Sequence, residues 1–254
     1  MTAVTDLGSE LVPSDGLLDD KVVLITGAGR SLGAVIATRC ADEGATVIAT
    51  DIAMEEGSAV RPLDVTQAGE WSRVVDDVID LHGHLDGLVN NAAVILEARP
   101  FLEEPSDGFA RVLDVNVMGV WLGMQSAARA MASTGGGSIV NISSTAGMVA
   151  HPRLSSYGTS KWAVRGLTKY GASELGPSGI RVNSVHPGGM MGTTMFPGTL
   201  DTAAYERAER GVPLRRVTDA ADVADAVVWL LSDKARQITG RELVVDAGAT
   251  LGGA

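Results

Sequence analysis

The sequence predicts a single α/β domain in which a doubly wound parallel sheet carries helices on both faces. Short runs rich in β-branched residues alternate with longer stretches of helical periodicity, such as Trp71, Val74, Val75 and Val78. Strands that are apolar throughout and separated by helices are typical of a parallel sheet that is buried on both sides. The expected strands cover residues 22–26, 46–50, 88–90, 138–143, 181–185 and 242–245.

We expect one folded domain over residues 21–254, preceded by a flexible N-terminal arm over residues 1–20. The arm is polar and acidic and is interrupted by Pro13 and Gly16. The connection after the second strand is unusually short, because only 12 residues separate Asp51 from Asp64. This segment has room for a clipped helix at most, followed by a short strand ending at Leu63.

Charge and composition argue against several classes of protein. Lys and Arg total 20 against 31 Asp and Glu, and the formal net charge of −11 opposes binding to nucleic acids or anionic membranes. The single cysteine, Cys40, provides neither an internal disulfide nor a thiolate cluster for a metal. No signal-peptide pattern and no apolar run approaching the roughly 20 residues of a membrane span is present. We therefore expect a cytoplasmic protein without a metal, a nucleic-acid partner or a membrane partner.

A glycine-rich turn directly follows the first expected strand and opens a helix. In KVVLITGAGRSLG, the glycines allow the backbone to approach a pyrophosphate, which would sit on the helix N-terminus. Asp51 ends the next strand, where a carboxylate accepts hydrogen bonds from ribose hydroxyls and repels a ribose phosphate. Arg30 could instead pair with the extra phosphate of NADP, but we expect Asp51 to decide in favour of NAD. The expected contacts of this turn are Gly27, Arg30, Ser31, Leu32 and Gly33. The alternative is a purely structural strand–turn–helix with a surface aspartate.

Tyr157 and Lys161 are four residues apart, so they lie one turn apart on one face of a helix. A phenol has a reference pKa of about 10, and an adjacent ammonium together with a bound nicotinamide would lower the pKa of Tyr157. Ser144 ends the run GSIVNISS and could hold a substrate oxygen. Asn116 lies on a long helix and could pass a proton from Lys161 to water. Taken singly, Tyr157 and Lys161 could equally be a surface pair, Ser144 a strand-end cap and Asn116 a core amide with satisfied hydrogen bonds.

The ordered set of motifs resembles the short-chain dehydrogenase/reductase family from Lys21 nearly to the C-terminus. The motifs are TGAGRSLG, Asp51, LDV, NNAA, Asn116, Ser144, YGTSK, HPG and VVDAG. The resemblance implies a Rossmann fold and a nicotinamide-dependent enzyme. The stretch SSYGTSKWAVRGLTKYGASELGPSGIRVNSVHPG is similar to bacterial 3α(20β)-hydroxysteroid dehydrogenase-like enzymes.

The resemblance also implies roles for particular residues. Tyr157 would be the general acid/base, and Lys161 would also hold the nicotinamide ribose. The implied catalytic residues are Asn116, Ser144, Tyr157 and Lys161. The implied cofactor contacts beyond the glycine turn and Asp51 are Asp64, Val65, Asn91, Ala92, Ala93, Tyr157, Lys161, Pro187, Gly188, Met190 and Thr193. Thr194 is the alternative to Thr193, because the sequence after Pro187 is one residue longer than the common family spacing.

Two residues depart from the family's pattern. Ser31 stands where the turn usually has its second glycine, and Ala93 stands where the family usually has the glycine of NNAG. Neither touches the proton-transfer residues, so we expect both to alter cofactor affinity more than activity.

The substrate loop is expected at about residues 188–214, and its first half is apolar and adaptable. It has no cluster of Lys or Arg to hold a carboxylate or phosphate, which favours a neutral, apolar alcohol or ketone of cyclic or steroid-like shape. The expected pocket residues are Ile95, Met148, His151, Met190, Met191, Met195 and Phe196. The alternative is that these residues only pack the loop on the domain.

Together these patterns predict an NAD(H)-dependent oxidoreductase that interconverts a secondary alcohol and a ketone. One alternative is a 3-oxoacyl-carrier-protein reductase-type enzyme using NADPH, and another is a catalytically silent nucleotide-binding protein. The helix over residues 109–131 and the helix beginning near Tyr157 are apolar around most of their surface, which suggests burial against a partner. With the family resemblance, this predicts a homo-oligomer, most simply a tetramer.

Overall fold

The computed structural model describes residues 16–53, 57–190 and 202–251. Across these ranges, seven parallel strands form one sheet in the order β3-β2-β1-β4-β5-β6-β7. The strands are β1 Val22–Thr26, β2 Thr46–Asp51, β3 Arg61–Pro62, β4 Gly87–Asn90, β5 Gly137–Ile142, β6 Ile180–Pro187 and β7 Glu242–Val245. The six strands expected from the sequence are present, and the short strand before Leu63 is β3.

Helices connect the strands and lie on both faces of the sheet. They are α1 Ser31–Asp42, α2 Ala68–His82, α3 Ser106–Leu113, α4 Gly119–Thr134, α5 Ser155–Leu175, α6 Thr202–Arg210 and α7 Ala220–Leu231. A single π-helical turn, Asp114–Met118, joins α3 to α4, so the chain is helical from Ser106 to Thr134. Within the described ranges, no helix is both long and apolar enough to cross a membrane.

Two apolar cores cover the two faces of the sheet. On one face, α2, α4 and α5 bury side chains that include Trp71, Met131 and Val164. On the other face, α1 and α7 bury side chains that include Ile36 and Val227. The doubly wound α/β fold predicted from the sequence is therefore confirmed.

The packed part of the chain begins before the boundary that we expected at Lys21. Leu18 is completely buried in the core beside α1 and α7. Its backbone N donates to the Glu43 carbonyl at 2.8 Å, and Leu17 N donates to the Glu43 carboxylate at 3.1 Å. Residues 16–20 therefore belong to the domain, because burial of Leu18 fixes them to the end of α1. Residues 1–15 of the expected arm lie outside the described residues.

The short connection after β2 explains the size of β3. The pairing of β2 with β3 consists only of Thr50 with Arg61 and Asp51 with Pro62. Residues 52, 53 and 57–60 are not helical, and residues 54–56 lie outside the described ranges. The described residues of this connection therefore form no helix, and β3 is a two-residue strand beside the carboxyl end of β2.

The strand order reverses at β1, whose neighbours are β2 and β4. The connections after β1 and β4 leave to opposite faces, and such a reversal opens a crevice at the carboxyl ends of the strands. The glycine turn, Asp51 and the NNAA segment all lie at this edge.

Candidate active site

A cavity of about 420 Å³ lies at the carboxyl edge of the sheet and joins the two groups of candidate residues. A volume of this size suits a small-molecule ligand. Its walls include the expected residues Gly27, Arg30, Ser31, Leu32, Gly33, Asp51, Asp64, Val65, Asn91, Ala92, Ala93, Ser144, His151, Tyr157, Lys161, Pro187, Gly188 and Met190. Residues predicted separately from motifs more than 100 positions apart therefore face one space.

The glycine turn needs its glycines because the backbone is crowded there. Gly27 has a φ of +63°, and a Cβ at this position would lie 2.9 Å from the Cα of Ala92. A Cβ on Gly33 would overlap the carbonyl oxygen of Gly27. Ser31, which replaces the usual second glycine, is itself left-handed with a φ of +51°. The family's preference for glycine at that position thus has a conformational reason, since a side chain in this region is strained.

The start of α1 is suited to an anion. Arg30 occupies the cap position in an extended conformation, and its side chain makes no capping hydrogen bond to the first turn. First-turn amides and the helix dipole bind phosphate groups well. Because the crowded glycines bring the backbone close, the turn fits the pyrophosphate of a dinucleotide.

Asp51 is held beside this turn by its backbone. The carboxylate is largely buried, with Oδ2 accepting from Gly29 N at 3.0 Å and Oδ1 accepting from Ala53 N at 3.1 Å. Two amide donors fix its orientation, and each oxygen keeps a further lone pair. The side chain is therefore positioned to accept hydrogen bonds from a ribose that enters the cavity.

The NNAA segment supports the glycine turn from below. Asn91 Nδ2 donates to the carbonyls of Thr26 and Gly27 at 2.9 and 3.0 Å. The Thr26 hydroxyl in turn accepts from the amides of Asn91 and Ala92 at 3.1 and 3.0 Å. Asn91 therefore shapes the turn with its side chain, a role that the sequence motif alone did not reveal.

Asp64, one of the expected cofactor contacts, is tied into its own loop. Asp64 Oδ1 accepts from the amide and the hydroxyl of Thr66 at 3.0 and 2.8 Å. The carbonyl of the adjacent Val65 accepts from Trp71 Nε1 at 2.9 Å. These bonds fix the wall that Asp64 and Val65 give to the cavity.

The reaction end is built by α5 and by the turn after β5. Tyr157 and Lys161 lie in the first two turns of α5, and both are buried. Lys161 Nζ lies 5.6 Å from the Tyr157 ring centroid and donates to the Ile142 carbonyl at 2.9 Å. Ser144 caps the 3-10 turn Thr145–Gly147, and its hydroxyl oxygen accepts from Ala146 N at 3.1 Å. The three side chains predicted to act together therefore line the same part of the cavity.

Burial shifts the pKa values of both side chains. It raises the pKa of Tyr157 to about 12, and a hydrogen bond with Ser144 opposes this shift only in part. Burial also lowers the pKa of Lys161 to about 8. The expected lowering of the pKa of Tyr157 by Lys161 together with a bound nicotinamide stays a prediction.

Asn116 lies in the π-helical turn, and its amide is engaged elsewhere. Its Oδ1 accepts from Val94 N at 2.8 Å, while Nδ2 donates to the Val94 carbonyl at 2.9 Å and to Ser160 Oγ at 3.0 Å. The side chain thus ties the segment after β4 to α5. The described contacts do not contain the side-chain route from Lys161 that we expected, and a role for Asn116 in the reaction stays a prediction.

Part of the expected substrate pocket is present. Among the described residues, His151 and Met190 line the cavity, whereas Ile95 and Met148 do not. Their neighbours Val94, whose backbone Asn116 holds, and Ala146 line the cavity in their place. Met191, Thr193, Thr194, Met195 and Phe196 lie outside the described residues.

The sequence reasoning missed several residues that line the cavity, among them Ile52, Arg111 and Leu154. Ile52 directly follows Asp51 and could have been found from that position, whereas Arg111 and Leu154 reach the cavity only through the packing of α3 and α5. In the described ranges, no group of three or more His, Cys, Asp or Glu side chains could hold a metal ion.

Comparisons with known proteins agree with this geometry. A family model described as enoyl-(acyl carrier protein) reductase matches residues 27–250. The 3-alpha-(or 20-beta)-hydroxysteroid dehydrogenase of Mycobacterium bovis is 40% identical over 93% of this chain and 92% of its own length. The cyclopentanol dehydrogenase of a Comamonas strain is 39% identical over 92% of this chain and 99% of its own length.

Solved structures extend the agreement to three dimensions. Carveol dehydrogenase from Mycobacterium avium, in complex with NAD, superposes with a TM-score of 0.85 at 31% identity, covering 93% of this chain and 100% of that chain. Other similar structures are complexes with NAD or with NADP. The chain is therefore an oxidoreductase of the kind that acts on CH–OH groups, and it belongs to the short-chain dehydrogenase/reductase family.

Proposed function

We propose that the protein is an NAD(H)-dependent oxidoreductase that interconverts an apolar cyclic secondary alcohol and its ketone. The single observation that carries this proposal is one cavity lined at one end by the glycine turn with Asp51 and at the other by Ser144, Tyr157 and Lys161. A dinucleotide spanning the cavity would bring its nicotinamide to the residues that handle protons.

The residues at the reaction end divide the work between them. In the direction of oxidation, the Ser144 hydroxyl holds the substrate oxygen and Tyr157 takes its proton. Lys161 is fixed by the Ile142 carbonyl close enough to the phenol ring to favour the phenolate that accepts this proton. The bound nicotinamide supplies the hydride chemistry, and its positive ring also favours the phenolate.

The proposed preference for NAD rests on the placement of Asp51. Its carboxylate is mostly buried and fixed by two backbone amides, so it cannot easily turn away from a ribose. A 2′-phosphate would meet this negative charge at close range. Arg30 is exposed and lines the same cavity, but it has no described contact that would offset this repulsion.

The proposed substrate class follows from the walls near the reaction end. Val94, Ala146, Leu154 and Met190 give the cavity apolar walls, beside the polar side chains of Arg111, Thr145 and His151. Apolar walls favour a hydrocarbon ring over a sugar or an acid. The named activities of the hydroxysteroid and cyclopentanol dehydrogenases support the same class.

We also propose that the protein assembles as a homotetramer in the cytoplasm. Trp121 on α4 and Trp162 and Tyr170 on α5 are 46%, 50% and 73% exposed. Large aromatic side chains exposed on neighbouring helices suit a contact with a second copy. Gel filtration with light scattering should give about four times the 26.2 kDa chain mass, and a stable monomer would contradict the proposal.

A cofactor and substrate panel tests the function directly. Purified protein is mixed with NAD or NADP and with cyclopentanol, cyclohexanol or a 3α-hydroxysteroid, and nicotinamide absorbance is followed. We expect turnover with NAD and at least about tenfold lower kcat/KM with NADP. NADPH-dependent reduction of a 3-oxoacyl carrier substrate would favour the acyl-reductase alternative. Binding of NAD without turnover of any alcohol or ketone would favour the silent nucleotide-binding protein.

A further inference from the structure

The turn that carries Ser144 lies just beyond the last rung of the ladder between β5 and β6. That ladder pairs Ile142 with Val185, and Ser143 N donates to the Val185 carbonyl at 2.8 Å. From Ser144 the chain leaves the sheet, and residues 144–147 form what we call the serine turn. A segment that leaves a sheet loses the ladder that positioned it, so its other hydrogen bonds decide where its side chains point.

His186 binds the first residue of the serine turn. It is completely buried on β6, with Nδ1 3.2 Å from the Ser144 carbonyl oxygen and Nε2 2.8 Å from the Ser184 hydroxyl. A carbonyl oxygen can only accept, so Nδ1 carries the proton and Nε2 accepts from Ser184. Burial lowers the pKa of His186, which keeps the ring neutral. The Ser144 carbonyl therefore sets the tautomer, the Ser184 hydroxyl donates to Nε2, and the ring donates to the serine turn.

Arg165 binds the last residue of the serine turn. From α5, its Nη1 donates to the Gly147 carbonyl at 2.7 Å and its Nη2 donates to Glu242 Oε2 at 3.0 Å. The other carboxylate oxygen of Glu242 lies 2.9 Å from Lys169 Nζ. The guanidinium of Arg165 also lies 4.6 Å from the Trp162 ring centroid. Because a carboxylate and an aromatic ring fix the Arg165 guanidinium, its hydrogen bond holds the Gly147 carbonyl in place.

The serine turn also packs directly on the helix that carries Tyr157 and Lys161. A Cβ on Gly147 would lie 2.8 Å from the backbone carbonyl oxygen of Lys161. The Ser143 hydroxyl donates to that same carbonyl at 3.0 Å. A shift of the serine turn would therefore change the position of Ser144 relative to Tyr157.

We propose that His186 and Arg165 are positioning residues that hold the two ends of the serine turn and thereby aim the Ser144 hydroxyl at the substrate oxygen. The inference rests on the proposed function in assigning that oxygen to Ser144. The Ser144 oxygen accepts from Ala146 N, and its side-chain hydrogen bond with Tyr157 places the hydroxyl beside the phenol in the cavity. A hydroxyl that must meet a reacting oxygen needs such fixed support, since misplacement by about 1 Å can reduce a rate by about 10²-fold.

Three substitutions of His186 separate positioning of Ser144 from simple filling of space. His186→Asn can place a donor near the Nδ1 position, His186→Gln can reach Ser184 from the Nε2 position, and His186→Leu provides neither contact. We expect His186→Leu and His186→Gln to lose about 10-fold to 10²-fold in kcat for cyclopentanol oxidation, while the KM for NAD stays within about twofold. His186→Asn should recover most of the rate. Rescue by Gln but not by Asn would overturn the proposal, because the Ser184 contact would then be the important one.

Hydrogen–deuterium exchange gives a readout that does not depend on turnover. We expect faster exchange of the Ala146, Gly147 and Met148 amides in His186→Leu and His186→Gln, and wild-type exchange in His186→Asn. Equal exchange in all four proteins would overturn the proposal. A wild-type protein that turns over no alcohol would count against the proposed function, and the exchange comparison would still decide whether His186 holds the serine turn.

Arg165 is tested with a control on the same helix. Arg165→Met removes the donor to Gly147, whereas Lys169→Met removes only the outer partner of Glu242. We expect Arg165→Met to lower kcat and to speed exchange of the serine-turn amides, and Lys169→Met to leave both within about twofold of the wild-type values. Equal effects of the two substitutions would overturn the role of Arg165, because loss of surface charge would then explain both.

Discussion

Lys161 Nζ lies 5.6 Å from the ring centroid of Tyr157, with the Ile142 carbonyl accepting its hydrogen bond at 2.9 Å. The ammonium is therefore held by the end of β5 and is close to the phenol ring, which it can stabilise as an anion. Burial opposes that effect by raising the pKa of Tyr157 to about 12 and by lowering the pKa of Lys161 to about 8. A positive charge added to the cavity would therefore lower the pKa of Tyr157.

The first prediction concerns the phenol itself. Tyr157→Phe keeps the buried ring and removes the proton carrier, so we expect kcat to fall by about 10²–10⁴-fold. The affinity for NAD, measured by fluorescence titration, should change little because the glycine turn and Asp51 are untouched. Tyr170→Phe on the exposed face of α5 is the matched control and should keep its rate. Comparable turnover in Tyr157→Phe and the wild type would remove Tyr157 from the mechanism.

The second prediction concerns the choice of cofactor. Asp51→Ala removes a carboxylate that is positioned for ribose hydroxyls, and we expect NAD to bind about tenfold more weakly. NADP should bind more tightly than it does to the wild type, because repulsion of its phosphate is lost. Isothermal titration with both cofactors measures the two changes.

Asp76→Ala on the exposed face of α2 provides the control for net charge, and it should change neither affinity. If the affinities for both cofactors stay the same in Asp51→Ala, Asp51 does not contact the ribose.

The positions of the strands along the chain and the candidate residues at their ends could be predicted because they depend on local patterns. The glycine turn, Asp51 and the Tyr157–Lys161 spacing each carry their own chemical signal, and all of them line one cavity. The contacts of Asn116 could not be predicted, since its partners lie 22 and 44 residues away in sequence. The burial of Leu18 was also missed, because the two adjacent leucines Leu17 and Leu18 in a polar segment give no periodic signal.

The pKa directions at the reaction end needed the structure for a different reason. Sequence spacing shows that two charges are neighbours, but the cost of removing them from water depends on the whole surrounding fold. Tyr157 and Lys161 are both buried by elements far away in sequence, and this burial raises the pKa of Tyr157, an effect that their spacing does not reveal.

The third prediction compares two substitutions of glycine by alanine. Gly33→Ala forces a methyl group into the carbonyl oxygen of Gly27 and to within 2.6 Å of Asn91 Nδ2, so the turn must open. We expect NAD affinity to fall by at least about tenfold and the protein to lose roughly 1–3 kcal/mol of stability. Gly69→Ala in α2 has no atom within 4 Å and should instead stabilise the helix by about 0.5–1 kcal/mol. Denaturant titration measures the stability of both variants. Unchanged stability and unchanged NAD affinity in Gly33→Ala would contradict the crowding inferred for the turn.

The fourth prediction concerns acid stability and Glu242. Burial alone would raise the pKa of this carboxyl, but the hydrogen bonds from Arg165 and then Lys169 lower it from 4.5 to about 2. A lowered pKa in the folded state stabilises the protein above pH 4.5, and this stabilisation is lost as the pH falls from about 4.5 to about 2. Wild type should therefore exceed Glu242→Gln in unfolding free energy at pH 6, and the difference should shrink through that window in urea titrations.

In the Arg165→Met background the same comparison should depend less on pH, because the main partner of Glu242 is gone. A difference between wild type and Glu242→Gln that stays constant from pH 6 to pH 2 would show that the ion pair does not lower the pKa of Glu242.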